Sequence, residues 1–280
     1  PCFISRQTDD IAPADRILYS IRDITATVPQ IGLITASIIS KKAAEGLEKL
    51  VLDVKCGNAA FMQTKEDAIA LAKSMVTTGN RLGMKVTAQI TEMDNPIGRM
   101  FGNSHEIVEC IQCLKGSGPA DTMELVLAQA SALGFDIEST ITDGTALKEF
   151  MEMCIRQGVS REVVSQLIAN PWSVLDKAPV SNEIVAKKSG YISQITALTI
   201  GEVLCKLGAG RTGESPHIDH GVGAELLVDI GDKISIGETW IRFDTLEEIS
   251  NDMIEAIQNS ISISDTKPTI YSRIIETIDN

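Results

Sequence analysis

The most constraining feature of the sequence is a strand–helix–strand pattern between residues 47 and 91. The run LEKLVLDVKCG predicts a short strand that stops at Gly57, and KEDAIALAKSMVTTGNRLG predicts an amphipathic helix that ends on glycine. MKVTAQIT then predicts a second strand. Two strands joined by a helix at this spacing form a βαβ unit, in which the strands run parallel and helices cover the sheet. The sequence therefore predicts the α/β class, with a mixed, largely parallel sheet flanked by helices.

The regions on either side of this pattern differ in character. Two helices are predicted before it, in TDDIAPADRILYSIRDITATV and PQIGLITASIISKKAAEGL, and helical periodicity continues after it. From about residue 175 short strands and glycine turns take over; IGDKISIGE has the spacing of a compact hairpin, and TLEEISNDMIEAIQNSI predicts a final helix. We predict an α/β lobe over residues 48–175 and a C-terminal α+β half-barrel subdomain over residues 180–280.

Composition limits the partners of the chain. Its 280 residues are 44% hydrophobic, enough for one large core or two smaller ones, and its formal net charge is −13. An acidic surface disfavours nucleic acid and anionic lipid, although a few local cations can still bind a small anion. No apolar run approaches the roughly 18–20 residues of a membrane helix. We therefore expect no nucleic-acid partner and no membrane partner.

The cysteines and the first residues bear on the cellular compartment. Six cysteines in a chain of this length do not form a disulfide scaffold. Cys110 and Cys113 form a CxxC inside a predicted helix with no second ligand pair nearby, so reduced thiols are favoured over a zinc or redox site. The start, PCFISRQTDD, lacks the features of a secretory signal, and its first residue is proline, which predicts a processed, trimmed or partial chain. We expect a cytoplasmic protein.

Two short motifs offer weaker sites. GAGRTG, from Gly208 to Gly213, has a dinucleotide-binding spacing but follows a predicted helix, whereas that loop must follow a strand, so a glycine turn is favoured. HIDH offers His217, Asp219 and His220 as metal ligands. Alternation along a strand would send these side chains to opposite faces, so a structural role is favoured over a metal site.

Arg22, Ser37 and Lys41 form the most informative set. Ser37 and Lys41 lie four residues apart, so a helix stacks them on one face, beside the apolar Leu33 and Ile34. From periodicity alone, two surface cations and a packing serine are the favoured interpretation. The wider pattern in which the three residues lie favours a binding role instead.

The chain resembles the thymidine and pyrimidine-nucleoside phosphorylase family. The matching segments are QTDDIAPADRILYSIRDITATV, LITASIISKKAAEGLEKLVLDVKCGNAAFM, MDNPIGRMFGNSHEIVECI, LKGSGPAD, SGYISQI, LGAGR, IDHGVG and KPTIYSRI. They cover nearly all of the chain in order, so it looks like the C-terminal two-thirds of such an enzyme. The resemblance implies phosphorolysis, in which a pyrimidine nucleoside and phosphate give a free base and a (deoxy)ribose 1-phosphate. It also implies that residues 1–47 are the remnant of a small helical lobe that faces a phosphate site on the larger lobe.

The resemblance assigns roles to individual residues. The side chains that recognise the pyrimidine correspond to Arg22, Ser37 and Lys41, and of these Arg22 and Lys41 are the catalytic candidates. The apolar neighbours of the base correspond to Val28, Ile34 and Phe61. The tyrosine near the sugar corresponds to Tyr19.

The residue types suit this chemistry. As the bond between N1 of the base and C1′ of the sugar breaks, negative charge builds on the departing pyrimidine. Arginine supplies a rigid fork of donors, lysine a compact cation and serine a neutral hydroxyl. In a water-poor cleft such donors stabilise the leaving base, and loss of one donor of this kind typically costs about 10²–10³ in rate.

The chain also departs from the family pattern. The family's phosphate loop, Lys-His-Ser-Thr-Gly-Gly, does not occur in these residues, and the first helices of the small lobe, through which the family forms homodimers, are mostly missing. In QTDD, Gln7 to Asp10, Asp9 replaces the family's usual glycine. The family's potassium ligands correspond in part to Ile97, Met100 and Glu109. The resemblance implies inorganic phosphate as co-substrate and no organic cofactor.

Two functions stay open on these grounds. In the first, the chain belongs to a pyrimidine-nucleoside phosphorylase. In the second, it is a catalytically incomplete remnant that acts as a pyrimidine-binding or interaction module. A third function, a biotin- or lipoyl-carrier role for the C-terminal half-barrel, is less favoured. The sequence has no lysine flanked by methionines at a turn tip.

Overall fold

The computed structural model describes residues 2–4, 8, 11–25, 27–211 and 217–279. Its helices are α1 (Pro13–Ile24), α2 (Ile31–Ala44), α3 (Lys65–Arg81), α4 (Asn103–Leu114), α5 (Ala120–Ala132), α6 (Glu138–Thr142), α7 (Thr145–Arg156), α8 (Arg161–Ala169), α9 (Ala197–Leu207) and α10 (Asn251–Asn259), with a 3₁₀ turn at Pro171–Ser173. Its strands are β1 (Lys49–Cys56), β2 (Lys85–Glu92), β3 (Met100–Phe101), β4 (Val180–Val185), β5 (Gly190–Ile195), β6 (Gly223–Leu226), β7 (Lys233–Ile234), β8 (Thr239–Thr245), β9 (Ile261–Ser264) and β10 (Ile274–Ile278).

The chain divides into two compact units. The first unit comprises the described residues of 4–93, 124–137 and 272–280, and the second unit those of 1–3, 94–123 and 138–271. The segment that ends the chain thus belongs to the same unit as α1, α2 and the βαβ pattern. The boundaries expected near residues 47 and 175 stay a prediction.

The sheet of the first unit has the order β1-β2-β10. β1 and β2 pair in parallel without a register shift, from Lys49 opposite Lys85 to Cys56 opposite Glu92. This pairing is the one expected of a βαβ unit. β10, which the sequence did not predict as a partner, pairs antiparallel with the other edge of β2.

α3 covers one face of this sheet. It begins after Thr64, whose hydroxyl caps the Asp67 amide at 3.2 Å, and acidic residues in its first turn suit the helix dipole. Every second side chain of β1 is buried, as expected for a strand with one covered face. The core between them consists mainly of Leu50, Leu52, Val54, Ala68, Leu71, Ala72, Met75, Val76, Val86, Ala88 and Ile90.

Gly79 lets α3 approach the sheet closely. A methyl group on Gly79 would lie 2.5 Å from Cγ2 of Val86 on β2 and 3.6 Å from Cδ1 of Ile39 on α2. Val86 is buried and β-branched, so it has little freedom to move aside. The position therefore needs glycine because two neighbouring elements pack against it.

The second unit contains two antiparallel sheets, with the orders β3-β6-β8-β4 and β7-β5-β9. Their shared core includes the fully buried Trp240, Ile241 and Phe243 of β8. The compact hairpin predicted in IGDKISIGE is wrong, because β7 pairs with β5 whereas β8 pairs with β4 and β6. A two-residue strand offers few ladder hydrogen bonds, and β8 instead pairs along its length in the other sheet.

The mixed α/β class is confirmed. Among the named strands of the described chain, β1 with β2 is the parallel pair, joined through the crossover helix α3, and an isolated parallel bridge links Cys56 and Met62. Among the described helices, none combines the length and apolarity needed to cross a bilayer.

Replacement of Gly79 by alanine should destabilise the first unit. We expect Gly79→Ala to lower the free energy of unfolding by about 1–3 kcal/mol, because the methyl group overpacks against Val86. Urea unfolding followed by circular dichroism measures the effect. Gly201→Ala is the matched control: Gly201 also lies in a helix, α9, but its methyl group would meet nothing within 4 Å. The control should gain about 0.5–1 kcal/mol from helix propensity, and equal effects of the two substitutions would contradict this account.

Candidate functional site

Two helices of the first unit carry the polar residues singled out in the sequence. Asp15, Tyr19 and Arg22 follow one another at four and three residues along α1, so they share one face. Ser37 and Lys41 share a face of α2 in the same way. α2 begins cleanly because the Gln30 side chain accepts a hydrogen bond from the Leu33 amide at 2.7 Å.

Lys41 joins the two helices. Its Nζ donates to Oδ2 of Asp15 at 3.0 Å and to Oγ of Ser37 at 3.2 Å. Asp15 is only 9% exposed, whereas the Lys41 side chain is 28% exposed. Ser37 is buried. The result is a half-buried cation held between a carboxylate of α1 and a hydroxyl of its own helix.

Arg22 lies against the first turn of α2. The residue is 5% exposed, and its guanidinium donates to the backbone oxygen of Leu33 at 3.3 Å and to that of Val28. In an α-helix the carbonyl of Leu33 accepts the amide of residue i+4, which here is Ser37, so the guanidinium lies within about one turn of Ser37. Arg22 Nε is buried without a hydrogen-bond partner among the described residues. Arg22 therefore lies against the first turn of the helix that carries Ser37 and Lys41.

The predicted neighbours of the base occupy different environments. The Tyr19 ring lies under the guanidinium of Arg22, with 5.3 Å between the Arg22 Cζ and the ring centroid. Val28 is half-buried and linked to Arg22 through its carbonyl. Ile34 lies in the hydrophobic core of the first unit, and Phe61 is 66% exposed in the loop after β1. Contacts of these four residues with a base or sugar stay predictions.

Asp15 pairs with Lys41 in this arrangement, but the sequence did not indicate a role for it in the site. Its position in the first turn of a helix is explained by the helix dipole alone, which hides its pairing with Lys41. The available signal was its spacing, since Asp15 lies four residues before Tyr19 and seven before Arg22 on the same face. A carboxylate at such a position opposite a half-buried lysine is a candidate partner.

Glu109 is the centre of a second polar cluster, in the second unit. Its Oε2 accepts the backbone amides of Arg99 at 2.6 Å and Met100 at 2.9 Å, and Asp121 accepts the amide of Gly98 at 3.2 Å. Burial raises the pKa of Glu109 above its ordinary value, against the lowering effect of the two amides, and the charge of Asp121 raises it further. Hard cations such as potassium take oxygen ligands, and Oε1 of Glu109 is the carboxylate oxygen that the Arg99 and Met100 amides leave for one.

His105 anchors the helix that carries Glu109. Nε2 of its buried ring lies 2.8 Å from Asp244 of β8, and the ring packs against the Trp172 ring in a T-shaped arrangement, with 4.9 Å between the centroids. Lys177 forms an ion pair with the same carboxylate at 3.2 Å. Burial alone would raise the pKa of Asp244, but the hydrogen bond from His105 and the charge of Lys177 bring it below its ordinary value. The cluster ties α4 to the sheet.

The glycine-rich motif and the cysteines show no arrangement typical of a cofactor or metal site in the described residues. Gly208 ends α9 in the left-handed region, with φ of 110°, and Asp219 donates its amide to the Gly208 carbonyl at 2.9 Å. All six cysteines are free, and burial raises the pKa of Cys113 to about 11. No group of three or more histidine, cysteine or acidic side chains placed to hold a metal ion occurs in the part of the chain that the structure describes. Gln7, Asp9 and Asp10 of QTDD, and residues 212–213 of GAGRTG, lie outside the described residues.

Two family models match separate parts of the chain. Residues 2–158 match the glycosyl transferase family a/b domain, and residues 191–264 match the pyrimidine nucleoside phosphorylase C-terminal domain. The first match includes both helices of the candidate base site and the Glu109 cluster.

Curated relatives extend over almost the whole chain. It is 38% identical to the thymidine phosphorylase of Homo sapiens over 285 residues, which covers 95% of this chain and 59% of the relative, and 38% identical to that of Mus musculus, with 95% and 60% covered. It is 39% identical to the pyrimidine-nucleoside phosphorylase of Staphylococcus aureus, with 96% and 64% covered. The chain thus spans about three fifths of the length of these relatives. With matches at this level of identity across nearly all of its residues, the chain belongs to the thymidine and pyrimidine-nucleoside phosphorylase family.

Proposed function

We propose that the chain acts in pyrimidine nucleoside phosphorolysis by binding the base through Arg22, Ser37 and Lys41. The observation that carries the proposal is the ammonium of Lys41, held 3.2 Å from Ser37 on α2, the helix whose first turn Arg22 contacts through the Leu33 carbonyl. The Lys41 and Ser37 polar atoms, 3.2 Å apart, are close enough to meet one flat heterocycle, and the Arg22 guanidinium contacts α2 one turn before Ser37. Family membership supports the proposal, and the names of the relatives give the reaction class.

The proposed chemistry is electrostatic. The glycosidic electrons pass to the pyrimidine as phosphate approaches C1′, so the carbonyl oxygens and N3 of the base become stronger acceptors. Donors that are already in place stabilise this charge without reorganisation. Arg22 and Lys41 act in this way as catalytic residues, and Ser37 supplies a neutral hydrogen bond. Tyr19, Val28, Ile34 and Phe61 are proposed neighbours of the base and sugar.

Further partners follow from the same proposal. Inorganic phosphate is the co-substrate, no organic cofactor takes part, and the complete assembly is a homodimer. Neither nucleic acid nor a membrane is a partner, as the net charge of −13 favours. Free thiols are in keeping with a cytoplasmic location.

Base binding should depend on Lys41. We expect Lys41→Ala, like Arg22→Ala, to weaken the binding of thymine or uracil by at least about 10–100-fold while circular dichroism shows a retained fold, because a charged hydrogen bond to the base is lost. Calorimetric titration of the 280-residue chain measures the affinity. Lys42→Ala is the matched control, since Lys42 lies on the same helix but pairs with the exposed Glu45 at 2.9 Å. An unchanged affinity in Lys41→Ala would remove Lys41 from the site.

Turnover separates the two functions left open by the sequence. These 280 residues lack the family's phosphate-loop signature, so we expect them to bind the base but to release little or no thymine from thymidine when phosphate is added. Co-expression with a segment that carries the signature should restore phosphate-dependent release. Robust release by the chain alone would show that the account of the phosphate loop is wrong, and no release after complementation would favour the binding module.

The Glu109 cluster is the proposed half of a potassium site, with Ile97 and Met100 as the other candidate ligands. We expect the melting temperature to rise by a few degrees in potassium chloride relative to choline chloride of equal ionic strength, because a bound cation stabilises the folded state. Glu109→Gln should remove this response. Glu106→Gln, a change of the same type on the same helix, should keep it, and an identical response in all three proteins would count against the site.

A further inference from the structure

Asp15 contacts the proposed base site, yet neither the residue types that bind the base nor the proposed chemistry gives it a role. Its carboxylate lies 3.0 Å from the Lys41 ammonium and is almost completely removed from water. Burying an unpaired carboxylate costs folding free energy, so the pair with Lys41 is what allows Asp15 to lie here. The pair does not by itself explain what Asp15 contributes to the site.

Lysine needs an external constraint to act as a directed donor. Its ammonium sits on a flexible four-carbon stem and carries three rotatable donors. Asp15 accepts one of them from α1 and Ser37 accepts another from α2. With two donors committed to acceptors on different helices, the nitrogen and the direction of its third N–H are both determined.

The third donor is the one available to a ligand. Part of the Lys41 side chain reaches solvent, while Asp15 and Ser37 are both buried. An N–H that points away from both acceptors is therefore directed to the accessible side of the ammonium. The neighbouring Lys42 differs, because its pair with Glu45 is exposed on both sides and holds no fixed direction.

We propose that Asp15 is a positioning residue: it holds the Lys41 ammonium so that its third N–H meets a carbonyl oxygen of the pyrimidine. This inference rests on the proposed function, since the carbonyl belongs to the base. Asp15 touches neither base nor phosphate and acts through Lys41. The alternative is that the ion pair serves only to clamp α1 onto α2.

Base affinity in a double-mutant cycle separates these roles. Uracil is titrated into the 280-residue chain as wild type, Asp15→Asn, Lys41→Met, the double variant, and Glu45→Gln as a control that removes a carboxylate from the exposed pair. Asp15→Asn keeps the shape of the side chain and should weaken binding about tenfold, in line with the loss of one charge-assisted hydrogen bond. Because Asp15 acts through Lys41, the double variant should bind no more weakly than Lys41→Met alone. Glu45→Gln should bind as the wild type does.

Two outcomes would overturn the inference. Wild-type affinity in Asp15→Asn means that Asp15 does not position the donor. An additional loss in the double variant, beyond that of Lys41→Met, means that Asp15 supports the site through the packing of α1 on α2 instead.

A spectroscopic signature tests Asp15 even if the chain binds no base. An ammonium held by two hydrogen bonds exchanges its protons slowly, so ¹⁵N-labelled Lys41 should give a resolved ammonium signal at low temperature. Lys41→Met assigns the signal, Glu45→Gln should keep it and Asp15→Asn should lose it. Failure of uracil to bind with the signal behaving in this way refutes the proposed function alone. A signal that persists in Asp15→Asn, or is missing from the wild type, refutes the positioning role.

Discussion

The parallel pairing of β1 with β2 determines where the other elements of the first unit can lie. Parallel strands require a crossover, and α3 supplies it by packing on one face of the sheet. α2 then packs on α3, where the hydroxyls of Thr35 and Ser74 lie 2.9 Å apart. Gly79 is at the point where α3 meets both α2 and β2. The close approach of α3 to these two elements therefore depends on a residue without a side chain.

The candidate site is built on the outer end of that stack. α2 is supported by packing against α3, whereas α1 is tied to α2 by polar contacts, the Asp15–Lys41 ion pair and the hydrogen bonds of Arg22 to backbone oxygens. Ion pairs and hydrogen bonds contribute less to stability than a core of comparable extent, but they are directional. Such contacts suit a site in which the direction of a donor matters more than the tightness of packing.

In the second unit, too, a carboxylate with polar partners holds a helix in place; here the helix is α4. The buried pair of His105 and Asp244 links α4 to β8, and Lys177 adds a positive charge on the same carboxylate. α4 in turn presents Glu109 to the amides of Arg99 and Met100. In both units a carboxylate with defined partners holds an element that carries residues of proposed function.

The sequence alone predicted the local elements and the residue types of the candidate site. The strands that became β1 and β2, the helix between them and the Ser37–Lys41 pair follow from periods of two and 3.6 residues, which are properties of neighbouring positions. Family membership likewise followed from local runs of residues. What only the tertiary structure decided are pairings between distant positions: β10 beside β2, β7 and β8 in separate sheets, and Asp15 against Lys41, 26 residues away. No local pattern records such contacts, because each depends on how the packed helices and sheets bring the two partners together.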